Sequence, residues 1–245
     1  MIKGFYVYSI PDGAKSDDFW DYHKCVHARD VLKVTSNFRT KYVLNRVKKT
    51  LYGCHNIFGI VEIVWLSEEL RLKDEEAVKT ARLSNGKTIS EDFRSRLQDD
   101  FHVLVEEYDV IKAETGKPSA VSGDGRGCKR FTIYSIPDGA NGDDFWRYHS
   151  EGHARDVWNA TRYLHKVQYM MNRVKKTLYG HHDIFCFVET KWDSDEVIAQ
   201  DGQILKTVRL ANGMNIQEDF LSQVKRCFSI LVEEYDVIAS NQNNS

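Results

Sequence analysis

His23 and His27 stand four residues apart in the segment Tyr22-His-Lys-Cys-Val-His-Ala-Arg-Asp-Val31, and the same spacing returns at His149 and His153 in Tyr148-His-Ser-Glu-Gly-His-Ala-Arg-Asp-Val157. On an α-helix that spacing is about one turn, so the two rings of each pair are neighbours. Histidine titrates near neutrality, and a carboxylate close by can orient an imidazole and fix its tautomer. Asp30 and Asp156, three residues beyond the second histidine of each pair, are the candidates for that role. On a regular helical wheel Phe19, His23, Val26, His27 and Asp30 share one face with Trp20 at its edge, and Phe145, His149, His153, Asp156 and Trp146 repeat the arrangement. Three readings are open: structural histidines at a helix–sheet seam, an acid/base pair, or a metal site built on His-x-x-x-His. The metal reading lacks a third ligand at motif spacing and the Glu that follows the first His in zinc proteases, so no metal is expected.

Other repeated polar residues could meet a substrate. Tyr8 and Tyr134 fall on a first strand and Asn45 and Asn172 on a second, where a phenol or amide facing a pocket can donate to a developing oxyanion. Together with Trp20 and Trp146 they are the expected substrate contacts. Tyr52 and Tyr179 close the second strand, and His55 and His182 sit at the turn after it. The basic run Arg46, Lys48 and Lys49, repeated as Arg173, Lys175 and Lys176, reads as a solvated strand face. In Glu106-Glu107 and Glu233-Glu234 strand alternation lets at most one of each pair point inward.

The elements that must position these residues are written twice. Tyr8-Ser-Ile-Pro-Asp-Gly-Ala14 returns at Tyr134–Ala140, Asn45-Arg-Val-Lys-Lys-Thr-Leu-Tyr-Gly53 at Asn172–Gly180, and Val105-Glu-Glu-Tyr-Asp-Val-Ile111 at Val232–Ile238. Roughly half of the aligned positions are identical, which marks a tandem repeat. Within one copy, Phe5–Ile10 reads as a strand ending at the Pro-Asp-Gly turn, and Asp17 to about Thr35 as a helix capped by Ser16 or Asp17. Strands follow at Lys41–Leu51 and Ile57–Trp65, then a helical region from about Glu75 to Asp99 broken near Asn85-Gly86, then a strand over Phe101–Ile111. The order βαββαβ is the ferredoxin-like pattern, and the fold class is α+β. Residues 1–111 form the first repeat, 112–129 a linker, 130–239 the second repeat and 240–245 a disordered tail. Each sheet has helices on one face and apolar residues on both. Two such sheets are therefore expected to pack face to face inside one chain, as an intramolecular pseudo-dimeric α/β barrel.

Composition excludes several function classes. The 245 residues carry 34 basic and 36 acidic side chains for a net charge of -2, so bulk electrostatics supports neither a nucleic-acid nor a membrane partner. No apolar run reaches spanning length and no signal peptide is visible. The five cysteines do not recur between copies, so they read as reduced thiols in a cytoplasmic protein. There is no Gly-rich phosphate loop, dinucleotide fingerprint, Gly-x-Ser-x-Gly elbow or Cys-x-x-Cys.

The first helix of each copy resembles that of the EthD-like branch of the dimeric α/β-barrel superfamily. The match rests on Phe19, Tyr22, His23, His27 and Ala28, and on Phe145, Tyr148, His149, His153 and Ala154. Histidine (His23, His149) stands where the family usually has Trp, and Arg29 and Arg155 where Pro is common. The resemblance implies a pocket between helix and sheet for a small hydrophobic or aromatic molecule. Relatives include polyketide cyclases, lactone isomerases, decarboxylases and cofactor-free monooxygenases, and some distant relatives bind haem. Single-copy members dimerise; a tandem chain closes the barrel as a monomer with an internal pseudo-two-fold, a homodimer remaining open. The leading expectation is a cofactor-independent cyclase, isomerase or decarboxylase of secondary metabolism, with His27 or His153 as base and His23 or His149 as its partner. The alternatives are a cofactor-free or haem-dependent monooxygenase and a non-catalytic binding protein.

Overall fold

Strand alternation decides which side chains face inward, and the inward faces of both halves meet in one interior. A computed structural model describes residues 1–119 and 127–242. The first half runs β1 (Ile2–Ser9), α1 (Ser16–Tyr22), a π-helical turn (His23–His27), α2 (Ala28–Thr35), β2 (Arg39–Tyr52), β3 (Gly59–Trp65), α3 (Glu68–Thr80), α4 (Ile89–Arg94), β4 (Asp99–Asp109) and α5 (Val110–Thr115). The second runs β5 (Cys128–Ser135), α6 (Gly142–Arg147), a π-helical turn (Tyr148–His153), α7 (Ala154–Thr161), β6 (Gln168–Tyr179), β7 (Cys186–Trp192), α8 (Asp195–Thr207), α9 (Ile216–Gln223), β8 (Arg226–Asp236) and α10 (Val237–Gln242).

The eight strands close into one antiparallel barrel in the order β1-β3-β2-β8-β5-β7-β6-β4. The expected pair of facing sheets is thus joined at both edges: β2 pairs with β8 and β4 with β6. Closure leaves no unpaired strand edge, which two separate four-stranded sheets would have left.

Phe5 and Val7 of β1 point into the barrel, where they pack with Ile60, Phe101, Val103 and their second-half counterparts Phe131, Ile133, Phe187, Phe228 and Ile230. Tyr6 and Tyr8 point outward under the first helical layer. One end of the interior is ionic. Lys3 Nζ lies 2.9 Å from Glu62, 2.9 Å from Glu107 and 2.7 Å from Glu189. Lys129 Nζ lies 2.7 Å from Glu189, 3.2 Å from Glu234 and 3.5 Å from Glu62. Lys41 and Lys191 add bonds of 2.7 Å to Glu62 and 2.8 Å to Glu234. Four lysines thus face four glutamates, so charge balance offsets the desolvation of groups as buried as Lys129 and Glu189. Glu107 and Glu234 are the inward members of their pairs, while Glu106 and Glu233 meet Lys175 and Lys48 at the surface.

Several local expectations shift. The helix over Asp17–Thr35 is interrupted by the π turn, and Lys15 precedes it without a side-chain cap, while Ser16 and Asp17 instead bind Arg46. The second helical region starts earlier, at Glu68, where Ser67 caps it. The last strand of the first half stops at Asp109, whose carboxylate caps α5 by accepting from Lys112 N at 3.0 Å. Val110 and Ile111 then pack into the second half's apolar layer, and Val237 and Ile238 into the first half's. Of the expected linker, residues 112–115 are helical and 128–129 belong to β5, while 120–126 lie outside the described residues. Of the expected tail, 240–242 end α10 and 243–245 lie outside the described residues. No helix among the described residues is long and apolar enough to cross a membrane.

Candidate functional site

The π turn gives the site its geometry. A π turn inserts one extra residue into the helical repeat, which advances everything beyond it by about 100°. Val31 therefore takes the inward position one turn after His27, Val26 becomes exposed, and Asp30 turns away to bind Lys33 at 2.7 Å. Asp156 is likewise apart from the imidazoles; burial and Asp219 push its carboxyl upward. Neither aspartate hydrogen-bonds a histidine among the described residues.

What the histidines meet is aromatic. In the first half the Tyr8 hydroxyl is 2.7 Å from His23 Nδ1, the His23 and His27 rings are 5.5 Å apart, and His27 stacks on Phe93 at 3.9 Å and 12°. The second half repeats this: Tyr134 bonds His149 Nδ1, the His149 and His153 rings are 5.3 Å apart, and His153 stacks on Phe220 at 4.6 Å and 22°. Phe93 and Phe220 are functional candidates that the motif reading missed, although the repeat Ile89-x-Glu-Asp-Phe93 and Ile216-x-Glu-Asp-Phe220 signalled them. The aspartates in those segments hold the helices together, since Tyr22 donates to Asp92 and Tyr148 to Asp219, each at 2.6 Å.

Burial keeps all four imidazoles neutral. His27 is pushed down to about 3 by burial and by the charges of Arg39 and Arg96, and His153 to about 4 by burial. His23 and His149 are driven well below the usual range by burial and then by the second histidine of each pair. Burial raises Tyr8 and Tyr134 well above the usual phenol range. His153 Nδ1 is buried and has no hydrogen-bond partner among the described residues. Such an orphaned polar atom calls for an explanation, and a ligand is one.

Each histidine pair lines a cavity between helices and barrel, but the two cavities differ. The first encloses about 120 Å³ and the second about 500 Å³. The repeat explains the contrast: Tyr6, Arg71 and Glu75 line the first cavity, where the second half has Thr132, Ile198 and Gly202. His102 also fills the first, its counterpart being Ser229. Ligand pockets typically span about 300–1,000 Å³, and a cavity of roughly 150 Å³ takes a single benzene ring. Only the second is of a size for a multi-ring molecule. Each cavity is completed by the other half: Tyr179 lines the first, and Lys49, Leu51 and Tyr52 line the second.

The other expected substrate contacts lie elsewhere. Tyr8 and Tyr134 sit behind the histidines rather than on a cavity wall. Gly59 leaves the room Tyr8 needs, since a Cβ there would collide with its hydroxyl. Trp20 and Trp146 are sandwiched in the apolar layers, each under an arginine, Arg46 or Arg173, at 5.8 Å. Asn45 and Asn172 point into the barrel, donating to Ile60 O at 3.1 Å and Phe187 O at 3.0 Å. His55 and His182 brace their turns against Thr50 and Thr177. Among the described residues no group of three or more His, Cys, Asp or Glu is arranged to hold a metal ion.

No protein-family model matches the chain, and no curated protein matches it in sequence. Solved structures do. An anthrone oxidase-like protein superposes with a TM-score of 0.63 at 10% identity, covering 96% of this chain and 93% of that one. A protein of Lactobacillus acidophilus named as a candidate monooxygenase gives 0.53 at 9%, covering 95% and 93%. A chlorite dismutase mutant of Candidatus Nitrospira defluvii gives 0.52 at 11%, covering 94% and 91%. Likeness at such identities shows a shared fold alone, the closed eight-stranded antiparallel barrel with flanking helices.

Proposed function

We propose that the chain is a cofactor-independent enzyme of EthD-like type, built from two ferredoxin-like units. It acts on an aromatic or polyketide-like small molecule in the second-half cavity, through proton transfer by His153 and His149. The observation that carries this reading is His153, a neutral imidazole that lines a cavity of about 500 Å³ and whose buried Nδ1 has no hydrogen-bond partner among the described residues. A neutral imidazole can accept the proton of a bound enol or phenol, and His149, held by Tyr134, lies beside it as its partner in the pair. A base with a pKa near 4 works on a weak acid only when the surroundings stabilise the resulting anion, so the chemistry falls to acidic enols, phenols and β-keto acids. Cyclisation and isomerisation of such molecules begin with this deprotonation, and decarboxylation of a β-keto acid instead releases CO2 to leave an enolate, which then takes up a proton.

The test is turnover of polycyclic phenols and β-keto acids, followed by absorbance, for wild type, His153→Ala and His27→Ala. Unchanged turnover in both single variants and in the double variant would show that the histidines do no chemistry.

A second reading, oxygenation of the same bound phenolate, draws on the likeness to the anthrone oxidase-like protein. Oxygen uptake with an anthrone, without added metal, would favour it. Haem fits less well. A ligating histidine normally has its second ring nitrogen fixed by a hydrogen bond; His153 Nδ1 has none among the described residues, and His149, whose Nδ1 is held by Tyr134, is almost wholly buried. Purified protein is therefore expected to show no Soret band.

A further inference from the structure

We propose that the second-half cavity is built for an organic anion, an aromatic or polyketide-like molecule bearing a carboxylate, which Arg130 holds while Lys49 and Lys206 flank the mouth. The inference deepens the preceding reading and rests on it only for the identity of the site.

The charges around the cavity are one-sided. Among the described residues its walls include Arg130, Lys49 and Lys206, and no Asp or Glu. Among the described residues Lys49 and Lys206 form no salt bridge. Arg130 is largely buried and contacts Asp201 at 3.1 Å, but that carboxylate also takes Lys166 at 2.7 Å. Two cations thus share one anion beneath an apolar cavity. Arg130 is held rather than swinging free: Nε donates to Thr190 Oγ1 at 3.2 Å, and the guanidinium lies 4.7 Å from the Trp192 ring. Those two partners leave donors of the guanidinium fork unused.

The first half provides the contrast. The position of Arg130 is Gly4 there. Arg39 binds Asp74 in a two-pronged pair at 2.7 and 3.0 Å, Arg71 binds Glu68 and Glu75, and Arg94 meets Asp100. Every arginine on that wall has its own carboxylate. The second half acquired an arginine without acquiring an acid. A partly desolvated positive charge with only a shared counter-ion is incompletely compensated, and a ligand carboxylate in the guanidinium plane would complete it with charge-assisted bonds. The same charge lowers the energy of the enolate or phenolate that a weakly basic His153 would have to generate.

The experiment uses the full chain and a fluorescence titration with 3-hydroxy-2-naphthoate and with its neutral methyl ester. The acid is expected to bind about ten- to a hundredfold tighter than the ester, the span of one charge-assisted hydrogen bond. Arg130→Gln should bring the acid down to the affinity of the ester and leave the ester unchanged. Equal affinity in the wild type overturns the proposal, as does no saturable binding of the acid, or an equal loss for both probes in Arg130→Gln. The wild-type comparison decides even where Arg130→Gln fails to fold, and Lys49→Gln should lower acid binding severalfold on a surface position. His153→Ala should keep the acid-over-ester preference, and a loss of preference there would count against the anion site. Its turnover bears on the proton-transfer reading alone.

Discussion

Neutral buried histidines make stability fall steeply with acid. His27 and His102 are pushed down to about 3 and His153 to about 4, chiefly by burial, from an unfolded value of 6.5. Because the folded values are depressed, the unfolded chain binds more protons below pH 6.5, so the stability contribution is complete above that pH and is lost as pH falls toward the folded values. At pH 5 each of the three has forfeited about 2 kcal/mol, from 1.36 kcal/mol per pH unit. Their sum, about 6 kcal/mol, is comparable with the whole stability of a typical domain. His23 and His149 act in the same direction. Unfolding free energies from urea titrations should therefore fall by about 4 kcal/mol between pH 6 and 5, a slope approaching three protons. A slope of one proton or less between pH 6 and 5 would mean that the imidazoles are charged or hydrated in the folded protein, and the account of the site would fail with them.

Three further outcomes are expected. Lys129→Met strands three interior glutamates with one lysine fewer and should cost about 3–5 kcal/mol in urea unfolding, a loss that pairing it with Glu189→Gln should largely reverse. Thr132→Tyr, which copies Tyr6 into the second half, should shrink the cavity from about 500 Å³ toward the first half's 120 Å³ and weaken hydroxynaphthoate binding at least tenfold. Tyr52→Ala should change affinity at the second cavity although Tyr52 belongs to the first half, and an unchanged Kd would show that the halves do not share their sites.

Local patterning made much of the architecture legible. Phe5–Ile10 was legible as a strand ending at the Pro-Asp-Gly turn, and the duplicated Tyr8, Asn45 and Val105 segments showed that the elements recur. The helix face was misjudged at Asp30 and Val26 because a wheel assumes 3.6 residues per turn, and the π turn at His23–His27 violates it. The interior ion cluster was missed because Lys3 and Lys129 sit beside strand ends, where lysine normally reaches solvent. Glu62 and Glu189, carboxylates inside apolar strands of both copies, were the available signal. The unequal cavities follow from Tyr6 against Thr132, Glu75 against Gly202 and His102 against Ser229, differences that acquire meaning only once strand faces are assigned. The contributions of Tyr52 and Tyr179 depend on which strand neighbours which across the halves, and no local pattern encodes that pairing.

Side-by-side turnover of His153→Ala and His27→Ala on one hydroxyaromatic acid tests the central claim most directly. The account predicts a fall of about a hundredfold or more in kcat for His153→Ala, the usual contribution of a positioned proton acceptor, with His27→Ala close to wild type. Wild-type turnover in His153→Ala, or a collapse only in His27→Ala, would contradict it.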